Sequence, residues 1–238
     1  MIQSILHQLK KLGVHSLISN EAIILEILED VTQLDLVNET IDHLNSCIKG
    51  TEFKKVLLVC PREYLNQLKL VGKQMGMKGE RVIYQRSLET PLESAPLDYE
   101  IWSPTDENSI SFLSEVMGRS VKVTKKFLKS MMVELPSQYQ NMFTVYKINS
   151  EPIGVVLPHL EPGRDQEGRL FWIGIHPKHR GKGLGNHLHL IGLERLRADF
   201  KAKTYLGATE VENLPMRKTM QANGCVEDHR VLTLEYKT

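Results

Sequence analysis

One stretch, residues 171–185 with the sequence FWIGIHPKHRGKGLG, constrains the fold more than any other part of this chain. A short apolar run of strand length meets a turn fixed by Pro177, and alternating glycines follow where a long amphipathic helix begins. The first N–H groups of a helix are unpaired and carry partial positive charge, and glycine lets a ligand approach them closely. The pattern therefore predicts a strand–turn–helix unit that binds a phosphate.

The local charge agrees with an anionic ligand, although the total charge does not. Thirty Lys and Arg against 29 Asp and Glu leave a net charge of +1, which argues against a protein that binds nucleic acid through its overall charge. Residues 168–193, however, contain no Asp or Glu. The alternative is that the glycines only permit the turn and the cations form a solvated edge. The four cations of the stretch are Arg169, Lys178, Arg180 and Lys182.

Two other phosphate motifs fit this sequence less well. In residues 181–185 the last glycine comes one residue too early for the dinucleotide fingerprint, and no ribose-binding acid lies at the expected distance. Residues 163–169 have the glycine spacing of a P-loop, but Arg169-Leu170 replaces Lys-Ser/Thr and a strand pattern follows instead of a helix. We set both motifs aside.

The apolar periodicity predicts a mixed α/β chain of two domains. Helical spacing occurs over residues 2–12, from residue 23 onward and over residues 38–48, and an apolar strand follows at residues 54–60. Pro91 and Pro96 flank a linker, so we predict domains at residues 1–96 and 97–238. In the second domain we predict strands at 99–102, 142–148, 152–160, 170–175, 205–208 and 230–236, and helices at 106–117, 124–132, 183–200 and 214–222.

The glycine-rich stretch resembles the signature of the GNAT superfamily of acetyl-CoA-dependent N-acyltransferases. That signature is Arg/Gln-x-x-Gly-x-Gly/Ala at a helix start, after a strand that ends in Val-x-Pro. Arg180, Gly183 and Gly185 match it after the segment Ile-His-Pro at residues 175–177. The family's next motif places Asn, a small residue, Tyr and a Gly-aromatic pair along the following helix, and the resemblance covers the whole second half. The corresponding residues here are Asn213, Met216, Met220 and Gly224-Cys225.

The resemblance implies an α/β (α+β) GNAT fold, with helices around a mixed, mostly antiparallel sheet whose fourth and fifth strands splay apart. It implies that the fourth strand pairs with the pantetheine arm of acetyl-CoA, that the glycine loop holds the pyrophosphate, and that Asn213 reaches the arm. An amine would attack the thioester directly, and residues 117–140 would shape the acceptor site. The implied cofactor-binding residues are Ile173, Ile175, Arg180, Gly181, Lys182, Gly183, Leu184, Gly185 and Asn213.

Two departures from the family pattern leave the catalytic residues unknown. Met220 stands where the family often has the Tyr that protonates the leaving thiolate. The fourth strand begins Leu170-Phe171-Trp172, where the family often has a Glu as general base. His159 and Glu161, at the end of the preceding strand, are candidate replacements, against the alternative that they are solvated loop residues.

No metal is expected. His187 and His189 are two apart on a predicted helix and would not share a face, and the cysteines Cys47, Cys60 and Cys225 are scattered. An odd number of cysteines, no secretory signal and no run of eighteen apolar residues predict a cytoplasmic protein that does not interact with membranes.

The first half contains a weak internal repeat of the second half. In the first half, a strand pattern at residues 54–60 is followed by a helix pattern and then by Arg81-Val82-Ile83. In the second half, a strand pattern at residues 203–208 is followed at nearly the same spacing by a helix pattern and Arg230-Val231-Leu232. No Arg-x-x-Gly-x-Gly occurs in the first half, so residues 1–96 are expected to be a degenerate GNAT-like half. The alternative is an unrelated helical lid.

The leading hypothesis is an N-acetyltransferase that moves an acetyl group from acetyl-CoA to a primary amine of a small molecule or peptide. The alternative is a non-catalytic acyl-CoA-binding sensor or structural subunit with the same fold. Nucleic acid is not an expected partner because no aromatic residues are interleaved with the basic ones. A homodimer and the identity of the acceptor are left open.

Overall fold

The computed structural model of the protein describes residues 1–18, 21–27, 31–90, 92 and 98–237. The chain divides into two compact units. The first comprises Met1–Ile83, Ala208–Glu212 and Asp228–Thr238, and the second comprises Tyr84–Gly207 and Asn213–Glu227. The domain boundary predicted at residue 96 lies outside the described residues, so it stays a prediction.

The first unit is an α/β unit whose strands come from both ends of the chain. Its elements are α1 (Ile2–Lys11), β1 (Val14–Ile18), β2 (Ala22–Ile27), α2 (Leu34–Cys47), β3 (Lys55–Pro61), a 3₁₀ turn (Arg62–Asn66), α3 (Lys69–Gln74), the first part of β4 (Gly76–Ser87) and the later parts of β9 (Thr204–Glu210) and β10 (Val226–Lys237). Its strand order is β1-β2-β3-β10-β4-β9. Strands β2 and β3 are parallel, and β10 lies antiparallel to β3 over seven residue pairs, from Val231–Pro61 to Lys237–Lys55.

The strand order contains an exchange between two strand–helix–strand segments. One segment is β3, α3 and β4, and the other is β9, the helix α8 (Leu214–Ala222) and β10. In the order β3-β10-β4-β9 the last strand of each segment lies between the two strands of the other. The two segments therefore complete each other's sheet.

The helix predicted from residue 23 onward is wrong, because Ala22–Ile27 is a strand. Ile23, Leu25 and Ile27 are fully buried at every second position, and the strand pairs with β1 on one side and β3 on the other. A short run of apolar residues satisfies both helical and strand spacing, and only the neighbouring strands decide between them. Strand β1 was not predicted, since most of its residues are exposed and it is held by backbone pairing.

The second unit carries the predicted mixed, mostly antiparallel sheet with helices around it. Its elements are β5 (Tyr99–Ile101), α4 (Glu107–Met117), α5 (Val121–Glu134), α6 (Tyr139–Met142), β6 (Thr144–Ile148), β7 (Glu151–Leu160), β8 (Glu167–Ile175), a 3₁₀ turn (Pro177–His179), α7 (Gly185–Ala198) and α8, with parts of β4, β9 and β10. Within this unit the strand order is β4-β9-β8-β7-β6-β5. Neighbouring strands are antiparallel from β5 to β8, and β8 is parallel to β9.

Alternation along β7 separates two cores on the two faces of this sheet. Val155 and Leu157 pack with Leu113 of α4 in one cluster, whereas Val156 packs with Leu188 of α7 in another. Successive strand residues point to opposite faces, so α4 and α5 cover one face and α7 covers the other. Strand β8 runs between these two layers.

Polar side chains anchor two helices of the second unit, α5 and α7. Helix α5 begins at Val121 because the Ser120 hydroxyl accepts a hydrogen bond from the Val123 N–H at 3.4 Å. Fully buried Arg195 of α7 donates to Thr144 Oγ1 at 2.6 Å and to Asp199 Oδ2 at 2.7 Å, which ties α7 to the start of β6. The helix predicted to begin at residue 124 therefore starts three residues earlier.

Candidate acyl-CoA site

Strands β8 and β9 pair only where they begin. Their parallel ladder consists of two residue pairs, Glu167–Thr204 and Gly168–Tyr205. From Arg169 to Ile175, β8 keeps its antiparallel partner β7 but has no ladder partner on the side of β9 among the described residues. This is the splay that the family resemblance implied, and it leaves one edge of β8 available to pair with an extended ligand.

A bulge in β8 lies next to the point where the strands part. Val156 of β7 pairs with Ile173 and Pro158 pairs with Leu170, so β8 has one more residue than β7 in this interval. The bulge turns Phe171 and Trp172 toward the core under α4 and α5, while Leu170 and Ile173 pack on the α7 side. Bulges re-aim side chains and are frequent beside active sites.

The loop between β8 and α7 presents a row of unpaired amides. Within the described part of the chain, the N–H groups of residues 181–185 have no hydrogen-bond acceptor. Gly181 and Gly183 have φ of +77° and +74°, and a Cβ on either would meet no atom within 4 Å. Successive N–H groups in such a turn, at the start of a helix, form a concave cradle for an anion.

The cations near this cradle are fewer than the sequence suggests. Arg169 lies at the opposite end of β8, where it pairs with Glu161 and Glu167. The Arg180 side chain donates to the Ile175 carbonyl at 3.0 Å and to the Val116 carbonyl of α4 at 2.9 Å. Arg180 therefore joins the end of α4 to the loop, a structural role that the signature alone does not reveal. Lys178 and Lys182 are exposed beside the cradle.

The remaining predicted cofactor residues lie in β8, at the start of α7 and at the start of α8. The side chains of Ile173, Ile175 and Leu184 pack on the α7 side of the sheet, and Gly185 begins α7. Asn213 caps α8, and its Oδ1 accepts a hydrogen bond from the Met216 N–H at 3.3 Å. The structure thus gives the Asn213 side-chain oxygen a capping role, and its role toward a pantetheine arm stays a prediction.

The two candidate catalytic residues are in contact. His159 Nε2 and Glu161 Oε2 are 3.4 Å apart, and the Arg169 guanidinium lies 3.3 Å from the same carboxylate. Burial raises the pKa of Glu161, but the His159 hydrogen bond and the charge of Arg169 outweigh it and hold the pKa below its usual value. His159 is 5% exposed, and its ring lies 5.7 Å from that of Phe171. The alternative that His159 is a solvated loop residue is therefore wrong.

Met220 is buried and places no ionisable group where the family often has a Tyr. A different tyrosine hydroxyl lies close by, since a Cβ on Gly207 would be 2.3 Å from the Tyr205 hydroxyl and 2.9 Å from Met220 Cε. Burial raises the pKa of Tyr205 well above its usual value. His189 Nε2 lies 3.1 Å from this hydroxyl, and the Asn223 amide donates to His189 Nδ1 at 3.0 Å. Nothing in the sequence pattern indicated this network.

His189 makes stability depend on pH. Burial, helped by the charge of Arg86, lowers its pKa from 6.5 to about 3. The unfolded chain binds a proton at this residue below its ordinary pKa while the native chain does not, so stability is lost as pH falls through this window. Between pH 6.5 and pH 5 we expect the unfolding free energy of the wild type to fall by about 2 kcal/mol because of His189. The His189→Gln variant should not show this loss. Denaturant titrations at both pH values test this, with exposed His43→Gln retaining the wild-type slope as control.

His187 and His189 contact different partners. His187 Nδ1 lies 3.2 Å from the Tyr146 hydroxyl, whereas His189 meets Tyr205 and Asn223. Among the residues that the structure describes, no three His, Cys, Asp or Glu side chains are grouped so that they could hold a metal ion. None of the described helices combines the length and apolar character needed to cross a bilayer.

Comparison with known proteins agrees with this geometry. The profile of the acetyltransferase (GNAT) family matches residues 106–224. Solved structures with 12–14% sequence identity share the fold over most of the chain. They are a GCN5-related N-acetyltransferase from Sphaerobacter thermophilus (TM-score 0.67, 12% identity, 94% of this chain and 76% of that one), a GNAT-family acetyltransferase from Colwellia psychrerythraea (0.62, 14%, 90% and 78%) and a tandem GNAT protein from the clavulanic acid biosynthesis pathway (0.63, 14%, 94% and 78%).

No curated protein sequence matches the chain. The solved structures establish the predicted α/β fold, and the family profile covers the segment that holds the splayed strands, the bulge and the glycine loop. A match over half of the chain, on the residues that form the site, shows that this protein belongs to the GNAT family of acetyltransferases.

Proposed function

We propose that the protein transfers an acetyl group from acetyl-CoA to a primary amine of a small molecule or peptide, by direct attack of the amine. The observation that carries the proposal is the row of unpaired N–H groups at residues 181–185, in the loop that follows a strand with a free edge. Family membership supports acyl transfer, and the cradle supports a ligand with a phosphate at one end.

The chain's own groups fit the two ends of acetyl-CoA. The amides of residues 181–185 would hold the pyrophosphate, with Lys178 and Lys182 as nearby cations. The edge of β8 from Arg169 to Ile175 would pair with the pantetheine arm as an added strand, which would bring the thioester toward the bulge. There a backbone N–H of β8 would stabilise the developing oxyanion, and the amine would arrive from the α4 and α5 side.

Thiol release from acetyl-CoA across a panel of amines tests this proposal. We expect release well above the buffer rate with at least one primary amine, together with a rise in Tm on adding acetyl-CoA. Mass spectrometry of the product should show one added acetyl group on the amine. Stabilisation by acetyl-CoA without release from any amine would contradict the proposed transfer.

That negative outcome would favour the second candidate, an acyl-CoA-binding sensor or subunit. The observation behind it is that the positions where the family often has its acid and base carry other residues, since Met220 is buried and the middle of β8 carries Phe171 and Trp172. A neutral amine and a thiolate leaving group need only a reachable proton acceptor, so these departures are compatible with catalysis.

We also propose that the first half is a degenerate GNAT-like copy. The exchange of last strands between β3-α3-β4 and β9-α8-β10 supports two related segments. The similarity to a structure described as a tandem GNAT protein, which covers 94% of the present chain, also supports the proposal.

We propose a cytoplasmic location. The three free cysteines support a reducing compartment.

A further inference from the structure

The departure in β8 leaves the proton acceptor of the reaction unassigned, and a cluster at the end of β7 can supply it. The cluster consists of His159, Glu161 and Arg169, and its role as inferred below rests on the proposed acetyl transfer. His159 pairs across the ladder with Arg169, which is the first residue of β8 beyond its last pair with β9. The imidazole is therefore level with the point where the edge of β8 becomes free.

His159 also lies on the side of the sheet opposite the phosphate-binding helix. It follows Val155 and Leu157 at every second position of β7, and those two residues pack under α4. Its ring contacts Phe171 edge-on at 5.7 Å, and Phe171 in turn contacts Phe127 of α5 at 5.5 Å. The bulge places Phe171 on this face, so His159 stands beside the part of β8 that the thioester would reach.

The Glu161 carboxylate is held rigidly toward one nitrogen of the ring. The Glu161 N–H donates to the Glu167 carbonyl at 2.9 Å, and Arg169 bridges the carboxylates of Glu161 and Glu167. An ionised Glu161 can only accept from His159, so the proton of a neutral ring belongs on Nε2. Nδ1 then carries the lone pair, and it is buried without a hydrogen-bond partner among the described residues.

We infer that His159 is the general base of the reaction and that Glu161 positions it. Because Nδ1 is buried in this structure, a shift of the ring must first bring this nitrogen to the substrate side. His159 Nδ1 then takes one proton from the substrate ammonium, directly or through one water, and leaves a neutral amine. The amine nitrogen bonds to the thioester carbonyl carbon, and the carbon–sulfur bond breaks with its electrons on sulfur. The second amine proton ends on the sulfur, and the proton on His159 is released to solvent. The products are the acetamide, the thiol and one proton.

The tautomer of His159 provides a test that needs no turnover. Nitrogen-15 NMR of the full chain, with the signal assigned by its loss in His159→Asn, should show that the neutral form of the ring carries its proton on Nε2. Glu161→Gln should shift the proton toward Nδ1, since an amide can donate to Nε2. Glu167→Gln is the matched control, because Glu167 is as exposed as Glu161 at 20% and shares Arg169, whereas the carboxylate that His159 meets in the described structure is that of Glu161. Protonation on Nδ1 in the wild type would overturn the assignment.

Two probe amines separate a base from a merely structural residue. Methylamine is almost wholly an ammonium ion at pH 7, whereas hydroxylamine is neutral and needs no proton removed before it attacks. We expect His159→Asn to lower kcat for methylamine about 100-fold or more and to lower hydroxylamine transfer far less. Glu161→Gln should lower methylamine transfer about tenfold or more through the wrong tautomer. Equal losses with both amines would assign His159 a structural role.

Failure of this inference and failure of the proposed function are distinguishable. Full methylamine activity in His159→Asn would contradict the role of His159 and leave acetyl transfer intact. A wild-type protein that is stabilised by acetyl-CoA but acetylates neither amine would contradict the transfer and with it this role. Imidazole added to His159→Ala should restore part of the methylamine activity, and no restoration in a folded variant would count against the base.

Discussion

Gly183→Glu is expected to abolish the stabilisation of the protein by acetyl-CoA. Gly183 lies in the middle of the row of unpaired amides, and a Cβ there enters space that is empty of protein atoms. A carboxylate in that space would repel the pyrophosphate and cover the N–H groups that, under the proposed function, hold it. At a ligand concentration of 100 Kd the wild type gains about 2.7 kcal/mol, which is roughly 5 to 10 °C in Tm for a chain of this size.

Gly50→Glu is the matched control for this variant. Gly50 has φ of +78°, close to the +74° of Gly183, and a Cβ on it also meets nothing within 4 Å. Both substitutions therefore carry a similar backbone strain and the same change in charge. Gly50→Glu should retain the full shift in Tm with acetyl-CoA. An undiminished shift in Gly183→Glu would refute the placement of the cradle.

A fragment of residues 97–238 is expected not to fold. Strand β10 pairs with β3 over seven residue pairs, and β4 is its neighbour on the other side. The fragment lacks both strands, so Val231, Leu232 and Leu234, each at most 2% exposed in the full chain, would lose their cover. An unpaired apolar strand is a site of aggregation. Thermal melts and size-exclusion chromatography should show no cooperative transition and large assemblies.

Co-expression of residues 1–96 is the complementary experiment. Because the two strand–helix–strand segments complete each other's sheet, the separate halves should associate and recover a cooperative melt. A fragment of residues 97–238 that melts cooperatively and is stabilised by acetyl-CoA on its own would contradict this account. It would also show that residues 97–238 fold without the first half.

The sequence predicted the strand–turn–helix order around the glycine loop well because its determinants are local. The strand at residues 170–175, Pro177 and the alternating glycines act on backbone torsions within a few residues, and the structure has β8, a turn and α7 in that order. The contacts of individual side chains around this loop could not be predicted as well. Arg180 carries the family signature, yet its guanidinium holds carbonyls of β8 and α4.

By itself, the sequence determined the α/β class, the glycine loop at the start of α7 and the loss of the usual Tyr at Met220, since each is read from neighbouring residues. The tertiary structure decided whether residues 22–27 form a strand, where β8 parts from β9, and which strand each segment places in the other's sheet. It also gave His159 a buried, unpartnered nitrogen and a carboxylate neighbour. These features depend on strand pairing and burial between residues far apart in the chain, which local patterns do not encode.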